Sequence, residues 1–229
     1  MPTASQIAHA GLPFANPMSE AAVGAAIAAL PLPVDASLVD TGCGSGEMLV
    51  RALTLHPSAC GLGVDLDPDA IAEARRRAGD LPARFEIRDA STLDDTFDAA
   101  INVASSHVHG GFPAALTALR RLAPVALYGE GFWRHTPTSD FLAALGGATE
   151  DELADLDGLR LAIVDAGFEI LYESLADESD WANYEESLAA TAERHGGQDS
   201  LAYARRIRDR RALPGGTDTL GFGLFVLRR

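Results

Sequence analysis

The chain has 229 residues, enough for one sizeable core, and carries a formal net charge of -15 from 33 acidic and 18 basic residues. Such an acidic surface repels a phosphate backbone on average, which argues against a nucleic-acid partner. No apolar run approaches the roughly 20 residues that cross a bilayer, and no signal core begins the chain, so we expect a cytoplasmic protein without a membrane partner. Cys43 and Cys60 are too few for a disulfide framework or a four-cysteine metal site, and we expect no bound metal.

Strands and helices are predicted to alternate along the first half of the chain. A proline-broken N-terminal segment precedes a helix over 19–30. Short apolar or alternating runs predict strands at 37–40, 60–65, 84–88, 97–103 and 125–128. Helical spacing or capping signals predict helices that begin near Glu47, Asp67 and Pro113.

The second half departs from simple alternation near its end. A helix over 153–166 and a strand over 168–175 are followed by a long helical stretch at 181–211 and a last strand at 220–227. Alternating strands and helices imply an α/β fold, with a parallel sheet covered by helices on both faces. We predict one domain over 1–229, with an N-terminal helical cover at 1–36, a ligand-binding core at 37–130 and a helical insertion at 178–212.

A glycine-rich turn follows the first predicted strand, in Asp40-Thr41-Gly42-Cys43-Gly44-Ser45-Gly46. Open parallel sheets bind ligands beyond the carboxyl ends of their strands, which is where this turn would lie. Glu47 stands where a dinucleotide fingerprint needs its third glycine, and the Gly-Lys-Ser/Thr ending of a P-loop is absent. The turn therefore disfavours pyrophosphate ligands, and with them a nicotinamide oxidoreductase.

The turn resembles the first motif of the class I S-adenosylmethionine-dependent methyltransferases, an acidic residue and one spacer followed by glycines at alternate positions. The likeness extends in register, because Asp65 ends the second predicted strand and Asp89 follows the third. It implies a Rossmann-like sheet of seven strands, mostly parallel with an antiparallel last strand. It also implies S-adenosylmethionine as cofactor and S-adenosylhomocysteine as product.

The resemblance assigns roles within the cofactor site. Asp65 would hold the ribose hydroxyls and Asp89 the adenine amine, while Asp40 would orient either the turn or the methionyl ammonium. Cys43 is predicted to be a small side chain in a tight turn and not a reactive thiol. The candidate cofactor-binding residues are Asp40, Gly42, Cys43, Gly44, Gly46, Asp65, Leu66, Asp89, Ala90 and Val103.

The loop at 104–111 is the first candidate for contacting the methyl acceptor, because this family commonly places substrate-facing residues after the fourth strand. Methyl transfer needs a nucleophile held in line with the methyl carbon. His107 and His109 are candidate general bases for an acceptor that arrives protonated. A histidine that only forms a hydrogen bond in this loop is an equally good interpretation.

Two further segments are candidates for the acceptor pocket, one at 129–135 after the fifth predicted strand and one at 180–185 in the insertion. Together they resemble a small bacterial branch of these methyltransferases with a Gly-Glu-x-aromatic-Trp-Arg segment and a later Trp-x-x-Tyr-Glu. Aromatic walls with a few polar anchors are typical of small-molecule pockets, and Glu185 is one such anchor. Trp181 and Tyr184 are three positions apart, so docking of the insertion onto the core is the alternative for them. The candidate substrate-binding residues are Phe14, Glu130, Trp133, Arg134, Trp181 and Tyr184.

The sequence thus predicts methyl transfer from S-adenosylmethionine to a small-molecule acceptor by in-line displacement. The alternative is a non-catalytic, regulatory protein of the same fold that binds the cofactor. The DNA amino-methyltransferase pattern of Asn or Asp, two prolines and an aromatic residue is absent, which again disfavours a nucleic-acid base. The acceptor atom and the oligomeric state are left open.

Overall fold

The computed structural model describes residues 3–10 and 12–229. Met1, Pro2 and Gly11, which belong to the predicted N-terminal cover, lie outside the described residues. The helices are α1 (Ala4–His9), α2 (Glu20–Ala28), α3 (Glu47–Leu55), α4 (Pro68–Ala78), α5 (Phe112–Leu122), α6 (Ser139–Ala144), α7 (Leu156–Asp165), α8 (Glu178–His195) and α9 (Gln198–Ala212). The strands are β1 (Ser37–Thr41), β2 (Cys60–Asp65), β3 (Ala83–Ile87), β4 (Ala99–Val103), β5 (Val125–Trp133), β6 (Glu169–Leu175) and β7 (Leu220–Arg228).

The strands form one seven-stranded sheet in the order β3-β2-β1-β4-β5-β7-β6. The neighbours from β3 to β5 are parallel, with Leu38 of β1 opposite Gly61 of β2 and Ala99 of β4. The last strand, β7, runs antiparallel to β5. The backbone amide of Arg134, after the end of β5, donates to the Thr219 carbonyl before the start of β7, and the amide of Arg229, after the end of β7, donates to the Pro124 carbonyl before the start of β5. The predicted mixed sheet of seven strands is confirmed.

The described chain divides into two compact units. The first, here the sheet unit, comprises Glu20–Glu130, Gly158–Ser174 and Gly223–Arg229. Its core is built on strands buried on both faces, such as β4, where Ala99, Ala100 and Ile101 have no exposed area. The second, here the helical unit, comprises the residues up to Ser19, Gly131–Asp157 and Leu175–Phe222. Small and branched side chains from α1, α8 and α9 form a core there: Ala8, Leu188, Ala189, Ala192, Ala204 and Ile207.

Two predicted elements have different bounds in the structure. The prediction that 129–135 follows the fifth strand is wrong, because β5 continues through Trp133 and so contains Glu130. The predicted helix over 181–211 is two helices, since Gly196 and Gly197 adopt φ of 71° and 85° and end α8 before α9 begins. No helix among the described residues is long and apolar enough to cross a membrane.

Candidate functional site

The glycine turn connects the carboxyl end of β1 to α3 in the sheet unit. Gly42, Gly44 and Gly46 have φ of 70°, 51° and 79°, a region that favours glycine. A Cβ on Gly42 would lie 2.7 Å from Cβ of Ser105, and a Cβ on Gly46 would lie 2.9 Å from Cβ of Ala74. A Cβ on Gly44 would meet nothing within 4 Å. Gly42 and Gly46 are thus needed for packing, whereas Gly44 leaves room for a ligand to approach the backbone.

Asp65, the last residue of β2, holds the glycine turn in place. Its Oδ2 accepts a hydrogen bond of 2.8 Å from the Gly44 amide, and its Oδ1 accepts one of 2.9 Å from the Asp67 amide. Asp67 in turn caps α4 by accepting from the amides of Asp69 and Ala70. A carboxylate offers about four lone-pair sites, so Asp65 can accept two more hydrogen bonds from a ligand.

Asp40 is buried behind the turn, with 3% of its surface exposed. The Leu49 amide in α3 donates to its carboxylate, but Oδ2 has no hydrogen-bond partner among the described residues. Burial, and next the charge of Asp65, raise the pKa of Asp40 to about 8, although the Leu49 hydrogen bond opposes this shift. A buried acceptor without a donor fits a cationic group of a ligand.

A buried hydrogen-bond network joins the turn to the loop after β4. Asn102 Nδ2 donates to the backbone oxygen and to Oγ1 of Thr41, each at 3.0 Å, and Ser105 Oγ donates to the same Thr41 oxygen at 2.9 Å. We did not predict these three residues from the sequence. The only signal was one amide side chain, Asn102, in an otherwise apolar strand. The network fixes the loop that carries both candidate histidines.

Asp89 and His109 belong to two short 3-10 helices that pack against each other. Asp89 caps the first, Ala90–Thr92, by accepting from the Ser91 amide at 2.8 Å, and hydrogen bonds from Ser91 lower the pKa of Asp89. His109 ends the second, Ser106–His109; its Nε2 is buried and has no partner among the described residues, whereas His107 is exposed. Burial, and next the Arg121 charge, lower the pKa of His109, opposed by Asp89.

The remaining predicted cofactor residues lie around the same strand ends. Leu66 follows β2 and is 67% exposed, Ala90 is buried in the turn after β3, and Val103 ends β4. Burial, and next the charges of Asp40 and Asp65, raise the pKa of the Cys43 thiol, which fits the prediction of an unreactive side chain. The described residues contain no group of three or more His, Cys, Asp or Glu side chains arranged to hold a metal ion.

In the helical unit, Trp133 and Arg134 line one groove. Trp133 is 5% exposed, its Nε1 donates to the Glu150 carbonyl at 2.8 Å, and its ring meets Phe141 edge to face. Arg134 donates to the Ala176 carbonyl. Both predicted substrate residues therefore also have structural partners. Glu130, in the sheet unit, is buried in β5 and accepts from the Tyr128 hydroxyl at 2.9 Å.

Phe14 and Tyr184 line a different groove of the helical unit, with Asn183 and Ser187. The ring of Trp181 meets that of Tyr184 edge to face, and the Tyr184 hydroxyl bonds to His9 Nε2 at 2.8 Å. This bond joins α8 to α1 within the helical unit, so Tyr184 has a structural partner in the N-terminal segment. Trp181 Nε1 is buried without a partner among the described residues.

Glu185 is not a pocket anchor, and that prediction is wrong. The residue is 3% exposed, and its carboxylate pairs with Arg210 and Arg211 of α9. Arg210 is itself 7% exposed and its guanidinium lies 5.4 Å from the centre of the Phe141 ring. The pairing holds α8, α9 and α6 together inside the helical unit.

Comparisons with known proteins agree with this arrangement. A family model described as a methyltransferase domain matches residues 38–125. The structure resembles that of a methyltransferase from Geobacter sulfurreducens in complex with S-adenosylhomocysteine, with a TM-score of 0.87 and 26% identity over 100% of this chain and 99% of that one. A second such complex, from Thiobacillus denitrificans, has a TM-score of 0.82 and 27% identity over 100% and 99% of the two chains.

Residues 38–125 form a methyltransferase domain, and the chain as a whole is similar to class I S-adenosylmethionine-dependent methyltransferases. Another relative is the Escherichia coli protein YjhP, 29% identical over 93% of this chain and 92% of its own length. The X-ray structure of YjhP has a TM-score of 0.86 against this methyltransferase, covering 100% of both chains. These three solved structures cover 100% of this chain, so the structural likeness extends to the insertion as well as the glycine turn.

Two of the three glycines of the turn, Gly42 and Gly44, give a matched pair of substitutions in this methyltransferase. Gly44→Ala should lower the free energy of unfolding by roughly 1–2 kcal/mol, the cost of a left-handed residue with a Cβ. Gly42→Ala should lower it by about 1–3 kcal/mol more, because its Cβ would overlap Ser105 and force the loop after β4 to move. Urea denaturation of both variants measures the difference, and equal losses would contradict the packing role of Gly42.

Proposed function

We propose that this methyltransferase binds S-adenosylmethionine at the carboxyl ends of β1 to β4 and methylates a small-molecule acceptor. The observation that carries the proposal is the convergence of three features on one turn. Gly44 leaves open space beside its backbone, Asp65 keeps lone pairs for two more donors, and Asp40 has an unpartnered buried oxygen. Relatives with S-adenosylhomocysteine bound share this fold along its full length.

Each part of the cofactor has a chemically matched partner in the sheet unit. Asp65 accepts the two ribose hydroxyls, and Asp89 accepts from the adenine amine. Asp40 Oδ2 accepts from the methionyl ammonium, directly or through one water. Exposed Leu66 offers an apolar surface beside the ribose site. This set of acceptors suits an uncharged nucleoside with a cationic tail, whereas a pyrophosphate would be repelled by the carboxylates of Asp40 and Asp65.

The acceptor is proposed to be a small molecule because of the charge of the protein and the chemistry of the loop after β4. A net charge of -15 opposes an extended polyanion. The bound cofactor supplies a methyl group on a sulfonium, so the protein's task is to align a nucleophile and exclude water. His107 is exposed in the loop and remains the candidate general base for a protonated acceptor.

The proposal is tested in two steps. Titration calorimetry with S-adenosylhomocysteine should show saturable binding of one molecule per chain. Incubation with methyl-labelled S-adenosylmethionine and a low-molecular-weight filtrate of a cell extract should then produce a labelled small molecule. Absence of binding to folded protein would refute the cofactor assignment. Label that enters only the nucleic-acid or protein fraction of an unfiltered extract would refute the acceptor class.

The Asp40 assignment predicts that cofactor binding releases a proton. With a pKa of about 8, free Asp40 is mostly protonated at pH 7, and a nearby ammonium must lower that pKa. Binding should therefore release up to one proton at pH 7, and affinity should fall as the pH is lowered below 8. Calorimetry of S-adenosylhomocysteine binding between pH 6 and 7, in buffers of different ionisation enthalpy, measures the release; the ligand amine stays protonated there.

Asp40→Asn is the control for this measurement, because it keeps the shape of the side chain and removes the titrating proton. The variant should release no proton and show a flat pH dependence over the same range. Wild-type protein that binds without proton release would contradict the assignment of Asp40 to the ammonium.

A further inference from the structure

The place where the two 3-10 helices meet contains an unexplained polar atom. His109 Nε2 is buried and has no hydrogen-bond partner among the described residues. Arg121 of α5 donates to the Leu93 carbonyl at 2.6 Å and so ties the turn after β3 to the helix after β4. A buried ring nitrogen without a partner costs free energy, which a ligand atom can recover.

The surroundings of His109 indicate what kind of ligand atom that is. The charged groups that face it are Asp89, from the turn after β3, and Arg121, from α5. Burial and Arg121 keep the ring neutral at pH 7, so it acts as a neutral donor or acceptor and not as a cation. Because Nε2 itself is buried, a contact with a ligand requires rotation of the half-buried imidazole about χ2.

We propose that His109 recognises the cofactor and is not the general base: its Nε2 forms a hydrogen bond with a polar atom of the adenine edge, beside Asp89. This inference rests on the proposed function, which places the adenine amine at Asp89. The inference gives the two histidines different roles, because His107 is exposed and available to an acceptor, whereas His109 is half-buried and interacts electrostatically with Asp89 in the turn after β3. His109 and Asp89 then contact the same base from two sides.

The test compares the binding of three ligands to the full-length protein by calorimetry. The ligands are S-adenosylhomocysteine, its 7-deaza analogue and its inosine analogue, which together alter N1, N6 and N7 of the base. His109→Ala should weaken binding of S-adenosylhomocysteine by about 5- to 10-fold, the equivalent of one net hydrogen bond. It should weaken binding of at least one analogue clearly less, because the atom that His109 contacts is already changed.

Two further variants complete the design. His107→Ala, in the same 3-10 helix, should bind S-adenosylhomocysteine within about twofold of wild type, since no contact with the base is lost. His109→Gln retains a donor and an acceptor and should recover part of the lost affinity. Thermal unfolding of each variant checks that the loop remains folded.

The outcomes separate this inference from the proposed function. Wild-type protein that binds none of the ligands overturns both. Wild-type binding with an unchanged His109→Ala affinity, or with equal losses for all three ligands, overturns only the contact with the adenine edge. A selective loss for S-adenosylhomocysteine establishes it.

Discussion

Replacing Asp65 with alanine is expected to weaken binding of S-adenosylhomocysteine by roughly 10²–10⁴-fold, from the loss of two hydrogen bonds to a charged acceptor. The same change removes the acceptor of the Gly44 amide, so the turn loses support as well as a ligand contact. Titration calorimetry on the folded variant gives the affinity. Circular dichroism confirms that the sheet is intact.

Asp98 provides the matched control for this change. Its Oδ2 accepts hydrogen bonds from the Ser37 amide and hydroxyl, each at 2.8 Å. Like Asp65, it is therefore an aspartate whose carboxylate binds a backbone amide. It lies at the amino ends of β1 and β4, the edge opposite to the glycine turn. Asp98→Ala should therefore leave ligand affinity unchanged. Similar affinity losses in the two variants would show that the effect of Asp65 is general destabilisation and not ribose binding.

Replacing Glu185 with alanine is expected to destabilise the helical unit by about 3–5 kcal/mol, because it leaves the Arg210 guanidinium buried without its carboxylate. The two tryptophans of the chain, Trp133 and Trp181, both lie in this unit. Urea denaturation followed by tryptophan fluorescence therefore reports on the relevant part of the molecule.

Glu193, on the same helix, forms a solvent-exposed ion pair that serves as the comparison for the buried pair of Glu185. It pairs with Arg208 of α9 at 3.0 Å, and both side chains are 44% exposed. Glu193→Ala should change the denaturation midpoint by little more than the error of the measurement, since exposed pairs are screened by water and salt. A Glu185→Ala midpoint no lower than that of Glu193→Ala would contradict the importance of burial for this ion pair.

The strand ends that carry the candidate cofactor residues could be predicted from the sequence because the signals for short strands are local. Asp40, Asp65 and Asp89 each stand at the end of a short strand, and parallel strands bring such ends to one edge. The bounds of β5 could not be predicted in the same way. Gly129 and Gly131 add no strand signal, but pairing with β4 and the sheet position next to β7 keep that segment extended.

The sequence analysis also missed hydrogen bonds and ion pairs between residues that are far apart in the sequence. Asn102 finds its acceptors on Thr41, 61 positions earlier, and no spacing rule links the two. Glu185 was predicted to be a pocket anchor because it follows an aromatic pair in the insertion. Its real partner, Arg210, comes 25 positions later and reaches it only because the chain turns back at Gly196 and Gly197.

The contacts of Ser105 limit how this enzyme can be re-engineered. The loop after β4 is an attractive segment to exchange when a new acceptor is wanted. Ser105, however, packs against Gly42 and donates a hydrogen bond to the Thr41 carbonyl, so the conformations of the loop and the glycine turn depend on each other. A chimaera that introduces a larger side chain at position 105, or one without a hydroxyl, would alter the glycine turn along with the loop. Grafts that begin after residue 105 avoid that coupling.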